Sequence, residues 1–137
     1  MQNRNRDNAP ALINTTVPAM SSSFDRLLHA KRRSAADVAA GVKSGERLDY
    51  GFGLSQPDAF DAALAQRKTD LRDVVVRGAL SVRPRQVIEQ DPEQRHFINE
   101  NWHFSGYDRK KSEAGLVSYV PFNFGEAPAI YRRHLSV

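Results

Sequence analysis

The feature that most constrains the fold is a run of three valines, Val74-Val75-Val76. Consecutive β-branched residues favour an extended strand, and an unbroken apolar run indicates that both faces of that strand are buried. Burial on both faces is typical of a parallel sheet that carries helices. We therefore expect residues 73–80 to form a buried strand of an α/β domain.

A second strand and a helix precede these valines. Residues 47–52 alternate apolar and polar side chains, which predicts a strand. Residues 57–68 begin with Pro57, carry acidic residues in the first turn and end on basic residues, as a helix favours. Strand, helix and strand in so short a stretch predict a βαβ unit with a right-handed crossover.

Capping residues indicate further elements on both sides of this unit. A serine and an aspartate three residues apart predict a helix that starts after Ser34 and ends near Gly45. In the third strand, Ile98, Trp102 and Phe104 fall on one side. The other elements expected are strands over residues 96–104 and 116–122 and helices over residues 84–90, 106–114 and 128–135. The predicted fold class is therefore α/β, a mostly parallel open sheet with flanking helices.

The positive charge of the chain is concentrated at its beginning. The net charge is +4, and residues 1–33 contain six basic and two acidic residues, whereas residues 34–137 contain 14 of each. We interpret residues 1–33 as a basic leader that is expected to be disordered, apart from a helical turn after Phe24, and residues 34–137 as the folded domain. Contact with nucleic acid or anionic lipid is the alternative interpretation of the leader, and no nucleic-acid or membrane partner is expected for the domain.

Other classes of protein are disfavoured by what the sequence lacks. It has no cysteine, which excludes disulfides and thiolate chemistry and suits the cytoplasm. No apolar run reaches the roughly 18 residues that a membrane span requires. The four histidines are scattered without a carboxylate at ligand spacing, so we expect no metal.

A glycine-rich turn, residues 50–57, lies between the first strand and its helix. Glycines at positions 51 and 53 let a ligand approach the main chain, and the start of the helix adds free N–H groups and a positive dipole end. Such a turn can hold a carboxylate, a phosphate or a thioester oxyanion. It can equally be a tight turn without a ligand, and the local sequence leaves both interpretations open.

Three blocks of the sequence resemble the acetyl-CoA hydrolase/transferase family. The first two are residues 42–57 and residues 71–78. The third, Asn101-Trp102-His103-Phe104-Ser105-Gly106-Tyr107-Asp108-Arg109-Lys110, is similar to the butyryl-CoA:acetate and 4-hydroxybutyrate CoA-transferase branch. The resemblance extends from Ser34 to Leu135, with the blocks in family order.

The resemblance implies the N-terminal domain of an enzyme built from two related α/β domains of the NagB/RpiA-like kind, with the active site between them. It implies that coenzyme A passes between short-chain carboxylic acids through a glutamyl-CoA intermediate, with an acyl-CoA and a small carboxylate as substrates. The nucleophilic glutamate belongs to the second domain, and no glutamate here matches its motif. We therefore expect no catalytic residue in this chain and no CoA transfer by the chain alone. The family also includes acyl-CoA hydrolases. A second copy of the chain, in a homodimer, is a further candidate partner.

The resemblance also assigns candidate substrate-binding residues. Gly51, Phe52, Gly53 and Gln56 match the family's first strand-to-helix turn, which lines the acyl or carboxylate pocket, and Ser81 matches a position near the small-acid site. Each has a structural interpretation as well, in which the glycines only make the turn, the phenylalanine belongs to the core and the serine caps a loop. The alternative function is a non-catalytic α/β module that binds an anion or a partner protein at the turn.

Overall fold

The computed structural model describes residues 22–133, which fall into two units that we treat separately. The first unit, up to Arg32, contains helix α1 (Ser23–Lys31), whose start is capped by Ser22 and Asp25. The described part of the basic leader is therefore helical where a helical turn was expected after Phe24. The predicted disorder of residues 1–21 lies outside the described residues.

The second unit is an α/β domain with a parallel sheet. Its described part, residues 33–133, contains a sheet of four strands in the order β1-β2-β3-β4, and every pair of neighbours is parallel. The predicted fold class is thus confirmed. The strands are β1 (Arg47–Phe52), β2 (Val74–Ala79), β3 (Phe97–Asn101) and β4 (Ser118–Tyr119). The helices are α2 (Ala35–Ala40), α3 (Asp58–Gln66), α4 (Gln86–Glu89), α5 (Gly106–Glu113) and α6 (Ala127–Arg133), with 3₁₀ turns at Gly53–Ser55, Lys68–Asp70 and Phe124–Glu126.

Strand β2 is the buried centre of the sheet, as the three valines predict. All six of its residues are buried, and it pairs with β1 on one side and β3 on the other. Val74 and Val76 face the core that α2, α3 and α4 cover, whereas Val75 faces the opposite side. The core consists mainly of Ala39, Val42, Tyr50, Leu64, Ala65, Leu71, Val74, Val76, Val87, Ile88, Phe97 and Val117.

The opposite face of the sheet carries a charged cluster instead of an apolar core. Arg77 of β2 is only 2% exposed, and its guanidinium lies 3.0 Å from Glu100 of β3 and 3.6 Å from Asp49 of β1. Tyr131 of α6 is hydrogen-bonded to Asp49. Burial raises the pKa of the Tyr131 hydroxyl to about 12, and the Asp49 carboxylate raises it in the same direction. This face is therefore held by ion pairs and by one tyrosine of α6.

Strand β3 is shorter than the predicted residues 96–104, and asparagines occupy two of its inward positions. It ends at Asn101, and its buried side chains are Phe97, Asn99 and Asn101, whereas Ile98 is 40% exposed. Ile98, which the sequence places on one side of the strand with Trp102 and Phe104, therefore lies outside the core, and two asparagines occupy inward positions instead. The start of the strand is fixed by Asp91, whose carboxylate accepts hydrogen bonds from three successive backbone N–H groups, those of residues 95–97.

Two helix boundaries also differ from the prediction. Helix α2 begins at the predicted Ser34 cap but ends at Ala40, because the chain turns at Gly41. Pro57 is the N-cap of α3 and not its first helical residue. The 3₁₀ turn at Gly53–Ser55 occupies the intervening space.

Candidate functional site

The candidate site lies where the carboxyl ends of the parallel strands meet, the edge at which α/β proteins bind ligands. After β1 the chain forms what we call the glycine turn, residues 51–56. A Cβ atom at Gly51 would lie 2.5 Å from Cβ of Ser55 and 2.8 Å from its carbonyl oxygen, so only glycine allows the 3₁₀ turn to fold back here. Gly53 is buried with φ +57, a conformation that favours glycine.

After β2 the chain forms the serine turn, residues 80–85. Leu80 adopts φ +51, which is unusual for a branched side chain. Its backbone N–H donates to the carbonyl oxygen of His103 at 2.6 Å, and the N–H of Ser81 donates to Oδ2 of Asp108 at 3.0 Å. The Ser81 side chain is buried, and its Oγ accepts a hydrogen bond from Asn101.

The glycine turn and the serine turn lie side by side. A Cβ atom at Gly53 would be 3.9 Å from Cδ2 of Leu80. Asp58, at the start of α3, links the two turns, because its carboxylate accepts a hydrogen bond from Gln56 at 2.9 Å and forms an ion pair with Arg83 at 2.6 Å. Arg83, which was not among the predicted site residues, places a cation next to the two turns. An arginine two residues after Ser81, just beyond the end of β2, was the available signal.

An aromatic cluster borders the glycine turn. It consists of Phe52, Trp102, His103, Phe122 and Phe124, and the Phe52 ring lies 5.5 Å from Trp102 and 6.3 Å from Phe124 between centroids. Trp102 is buried, but Phe52 is 43% exposed and Phe124 is 73% exposed. Beside the cluster, His103, Phe104, Arg109 and Tyr119 line an open cavity of about 450 Å³. The edge therefore presents aromatic surface to its surroundings.

A buried polar layer supports the site from the core side. The Tyr50 hydroxyl donates to Oδ1 of Asp61, and burial raises the pKa of both groups. The Arg85 side chain is 1% exposed and lies over the Tyr50 ring. Burial lowers the pKa of the Arg85 guanidinium, while the Asp108 carboxylate opposes that shift.

The five predicted site residues lie on the two adjacent turns. Gly51, Phe52, Gly53 and Gln56 lie on the glycine turn, and Ser81 lies on the serine turn beside it. Gln56 is buried with its amide directed to Asp58, so its side chain is already engaged. Their roles in substrate binding stay predictions. Among residues 22–133 there is no cluster of His, Asp or Glu that could ligate a metal, and no helix of that part is long and apolar enough to cross a membrane.

The fold defines an α/β domain whose candidate ligand site is at the carboxyl edge of a parallel sheet. No protein-family model matches the chain. The chain is 33% identical over 113 residues to butyryl-CoA:acetate CoA-transferase of Anaerostipes caccae, covering 82% of this chain and 25% of the relative. It is 39% identical over 100 residues to a probable butyrate:acetyl-CoA coenzyme A-transferase of Syntrophomonas wolfei, covering 73% of this chain and 22% of the relative.

Solved structures agree with the fold. RipA from Yersinia pestis matches with a TM-score of 0.62 at 23% identity, over 80% of this chain and 28% of that one. A mutant form of RipA matches with a TM-score of 0.67 at 21% identity, over 85% of this chain and 29% of that one. By these sequence matches, which cover most of its length, the chain matches a CoA-transferase family. It spans about a quarter of the length of the curated relatives that it matches.

Proposed function

We propose that this chain forms one wall of the active site of an acyl-CoA:carboxylate CoA-transferase that acts on short-chain carboxylic acids. The observation that carries the proposal is the side-by-side placement of the glycine turn and the serine turn at the carboxyl edge of the sheet. Both relatives named above are described as transferring coenzyme A between butyrate and acetate species. We therefore propose that the substrates are coenzyme A thioesters and small carboxylates.

In the proposed reaction a glutamate outside this chain is the nucleophile. Its carboxylate attacks the acyl-CoA carbonyl, CoA thiolate leaves, and an acyl-glutamyl anhydride forms. The thiolate then attacks the glutamyl carbonyl, which releases the first carboxylic acid as its carboxylate and leaves glutamyl-CoA. The acceptor carboxylate then attacks glutamyl-CoA, and the same two steps run in reverse. CoA is thereby transferred to the acceptor, and the glutamate is regenerated.

The residues of this chain bind and orient the small acid in that scheme. Backbone N–H groups of the glycine turn face a carboxylate or thioester oxygen, and Gly51 and Gly53 permit its close approach. Arg83 supplies a positive charge near the same place once its pairing with Asp58 is shared with a substrate carboxylate. The Phe52 ring covers the apolar part of the acyl group and excludes water.

The proposal has a clear consequence for the isolated chain. It binds substrate weakly and does not transfer CoA, because the glutamate and the opposite wall belong to a second domain. The same wall suits an acyl-CoA hydrolase if water replaces the acceptor acid. The cytoplasm is the proposed location, and a homodimer is compatible with the scheme.

A second candidate function is a non-catalytic module that binds a partner protein. The exposed rings of Phe52 and Phe124 favour it, because aromatic residues on a surface are typical of protein interfaces. In that case the aromatic cluster, and not the two turns, would be the functional feature.

The two candidates separate in a titration of the ¹⁵N-labelled chain with butyrate, acetate and butyryl-CoA. The proposed function predicts shifts of the backbone amides of residues 51–56 and 80–83, with a dissociation constant on the order of a millimolar, about 4 kcal/mol of binding. Phe52→Ala should weaken butyrate more than acetate, while Leu54→Ala, at an exposed position in the same turn, should change neither. Absence of any shift in the two turns at saturating butyryl-CoA would contradict the proposal.

A further inference from the structure

Three helix starts in the described residues use the same serine–aspartate capping box, but in one of them the aspartate is completely buried. Ser22 with Asp25, Ser34 with Asp37, and Ser105 with Asp108 make the same pair of hydrogen bonds at α1, α2 and α5. Asp37 is solvent-exposed and Asp25 is half-buried, whereas Asp108 is 0% exposed. A capping carboxylate normally lies at the surface, so complete burial of Asp108 requires another reason.

The additional contact of Asp108 is with the serine turn. Its Oδ2 accepts a hydrogen bond from the N–H of Ser105, 2.8 Å away, and another from the N–H of Ser81, 3.0 Å away. The other oxygen, Oδ1, is buried and has no hydrogen-bond partner among residues 22–133. The three guanidinium nitrogens of Arg85 are also buried without a hydrogen-bond partner in that part of the chain. Asp108 thus presents one oxygen to the serine turn and leaves the other in the buried polar layer that contains Arg85.

The serine turn needs such a contact because its backbone is strained. A left-handed conformation at a non-glycine residue such as Leu80 is unfavourable and persists only where surrounding structure enforces it. Two hydrogen bonds flank that conformation, one from the N–H of Leu80 to His103 and one from the N–H of Ser81 to Asp108. The side chain of Leu80 lies next to Gly53 of the glycine turn, so the strained serine turn sets the distance between the two turns.

We propose that Asp108 is a positioning residue that holds the Leu80–Ser81 backbone against the glycine turn and so sets the width of the small-acid site. The small-acid site in this inference rests on the proposed function, whereas the placement of the two turns does not. Asp108 itself does not touch the acid. It acts through the N–H of Ser81, and Arg85 balances its buried charge.

The test compares Asp108→Ala with Asp37→Ala in the full chain. Both variants lose the same kind of capping box, so their cost in helix capping is matched. Asp108→Ala should increase amide hydrogen exchange at Ser81 at least about 10-fold and move its amide proton resonance upfield, because the bond to a carboxylate is lost. Asp37→Ala should leave both signals at residue 81 unchanged. Asp108→Asn should recover most of the protection, since an amide oxygen can accept the same N–H.

Butyrate binding provides the second readout. Asp108→Ala should weaken butyrate at least about 5-fold, and Asp37→Ala should not change it. Equal Ser81 exchange in Asp108→Ala and Asp37→Ala would overturn the positioning role, whether or not butyrate binds. If the wild-type chain does not bind butyrate, the proposed function fails, while the Ser81 signals still decide the role of Asp108. If Asp108→Ala does not fold, Asp108→Asn is the deciding variant. An Asp108→Asn chain that folds normally but has lost the protection of the Ser81 amide would contradict the positioning role.

Discussion

The guanidinium of Arg85 occupies the space that a side chain at Gly78 would need. A Cβ atom at Gly78 would lie 2.9 Å from Nη1 of Arg85 and 3.8 Å from Cβ of Tyr50. Gly78 is the fifth of the six residues of the buried strand β2, where glycine is otherwise unfavourable. A side chain at position 78 would therefore have to displace the buried guanidinium of Arg85.

Gly78→Ala should lower the free energy of unfolding by about 1–3 kcal/mol, since the added methyl group overpacks a buried site. Urea denaturation measures it. Gly106→Ala is the matched control, because a Cβ atom there would have no neighbour within 4 Å, and it should change stability by less than about 0.5 kcal/mol. In an Arg85→Ala background the cost of Gly78→Ala should largely disappear, and purely additive costs would show that the two residues do not interact.

The carboxylate of Asp91 should make stability depend on pH. Burial alone would raise the pKa of Asp91, but hydrogen bonds from the N–H groups of Phe97, His96 and Arg95 more than offset it and hold the pKa below its usual value. A lowered pKa means that the ionised form stabilises the fold above the unfolded-state value of about 3.9, and that this contribution is lost as the pH falls through the folded-state pKa.

Asp91→Ala should therefore cost about 1–3 kcal/mol at pH 7 and less at pH 3, because the wild type has then lost part of the same contribution. Asp70→Ala, which removes an exposed carboxylate from the same unit, should cost little at either pH. Thermal unfolding of the three proteins between pH 3 and 7 measures the difference. A cost of Asp91→Ala that does not change with pH would contradict the role given to this carboxylate.

Tyr131 should tune the ionisation of Asp49 on the far face of the sheet. Burial raises the pKa of Asp49, and the hydrogen bond from Tyr131 and the charge of Arg77 oppose that rise. Tyr131→Phe removes the hydroxyl donor, so the pKa of Asp49 should rise further, and stability at pH 7 should fall by about 1 kcal/mol. A carboxyl-detected NMR titration measures the pKa. Tyr119→Phe, at an exposed tyrosine, is the control, and an unchanged or lowered Asp49 pKa in Tyr131→Phe would be inconsistent with this contact.

The glycine turn should not tolerate a side chain at position 51. Gly51→Ala places a methyl group within 3 Å of Ser55, so the 3₁₀ turn must open and butyrate binding should weaken at least about 10-fold. Gly125→Ala, where a Cβ atom would be in open space, should leave binding unchanged. Amide shifts of residues 51–56 upon butyrate addition report both. Equal binding by the two variants would remove the glycine turn from the proposed site.

The local pattern predicted the parallel sheet well because the apolar signal was strong. Val74 to Val76 could only be buried, and the Ser34 and Ser105 caps fixed two helix starts. The inward face of β3 could not be predicted, since Asn101 is buried against Ser81, which is distant in sequence, and the buried Oδ1 of Asn99 has no hydrogen-bond partner among residues 22–133. Periodicity selects apolar residues for the interior, and a polar layer reverses that choice.

The candidate site was predicted more completely in its backbone than in its charges. The glycines at positions 51 and 53 signal a turn directly, because Gly53 adopts a conformation that few other residues adopt and Gly51 leaves the space that Ser55 occupies. The roles of Arg83 and Asp108 depend on which turns become neighbours after folding, and sequence spacing does not contain that information. The left-handed backbone conformation of Leu80 could likewise not be predicted, because a leucine in the sequence gives no signal for it.

The sequential order of the four strands bears on how the chain folds while it is being synthesised. Each strand pairs with the one made immediately before it, so β2 can dock on β1 as soon as both have left the ribosome, and β3 and β4 can follow in turn. Within residues 33–133 no strand has to wait for a later one to open a gap between its neighbours, so each loop that closes spans only one strand-to-strand connection. A nascent chain of this topology grows its sheet in a single direction.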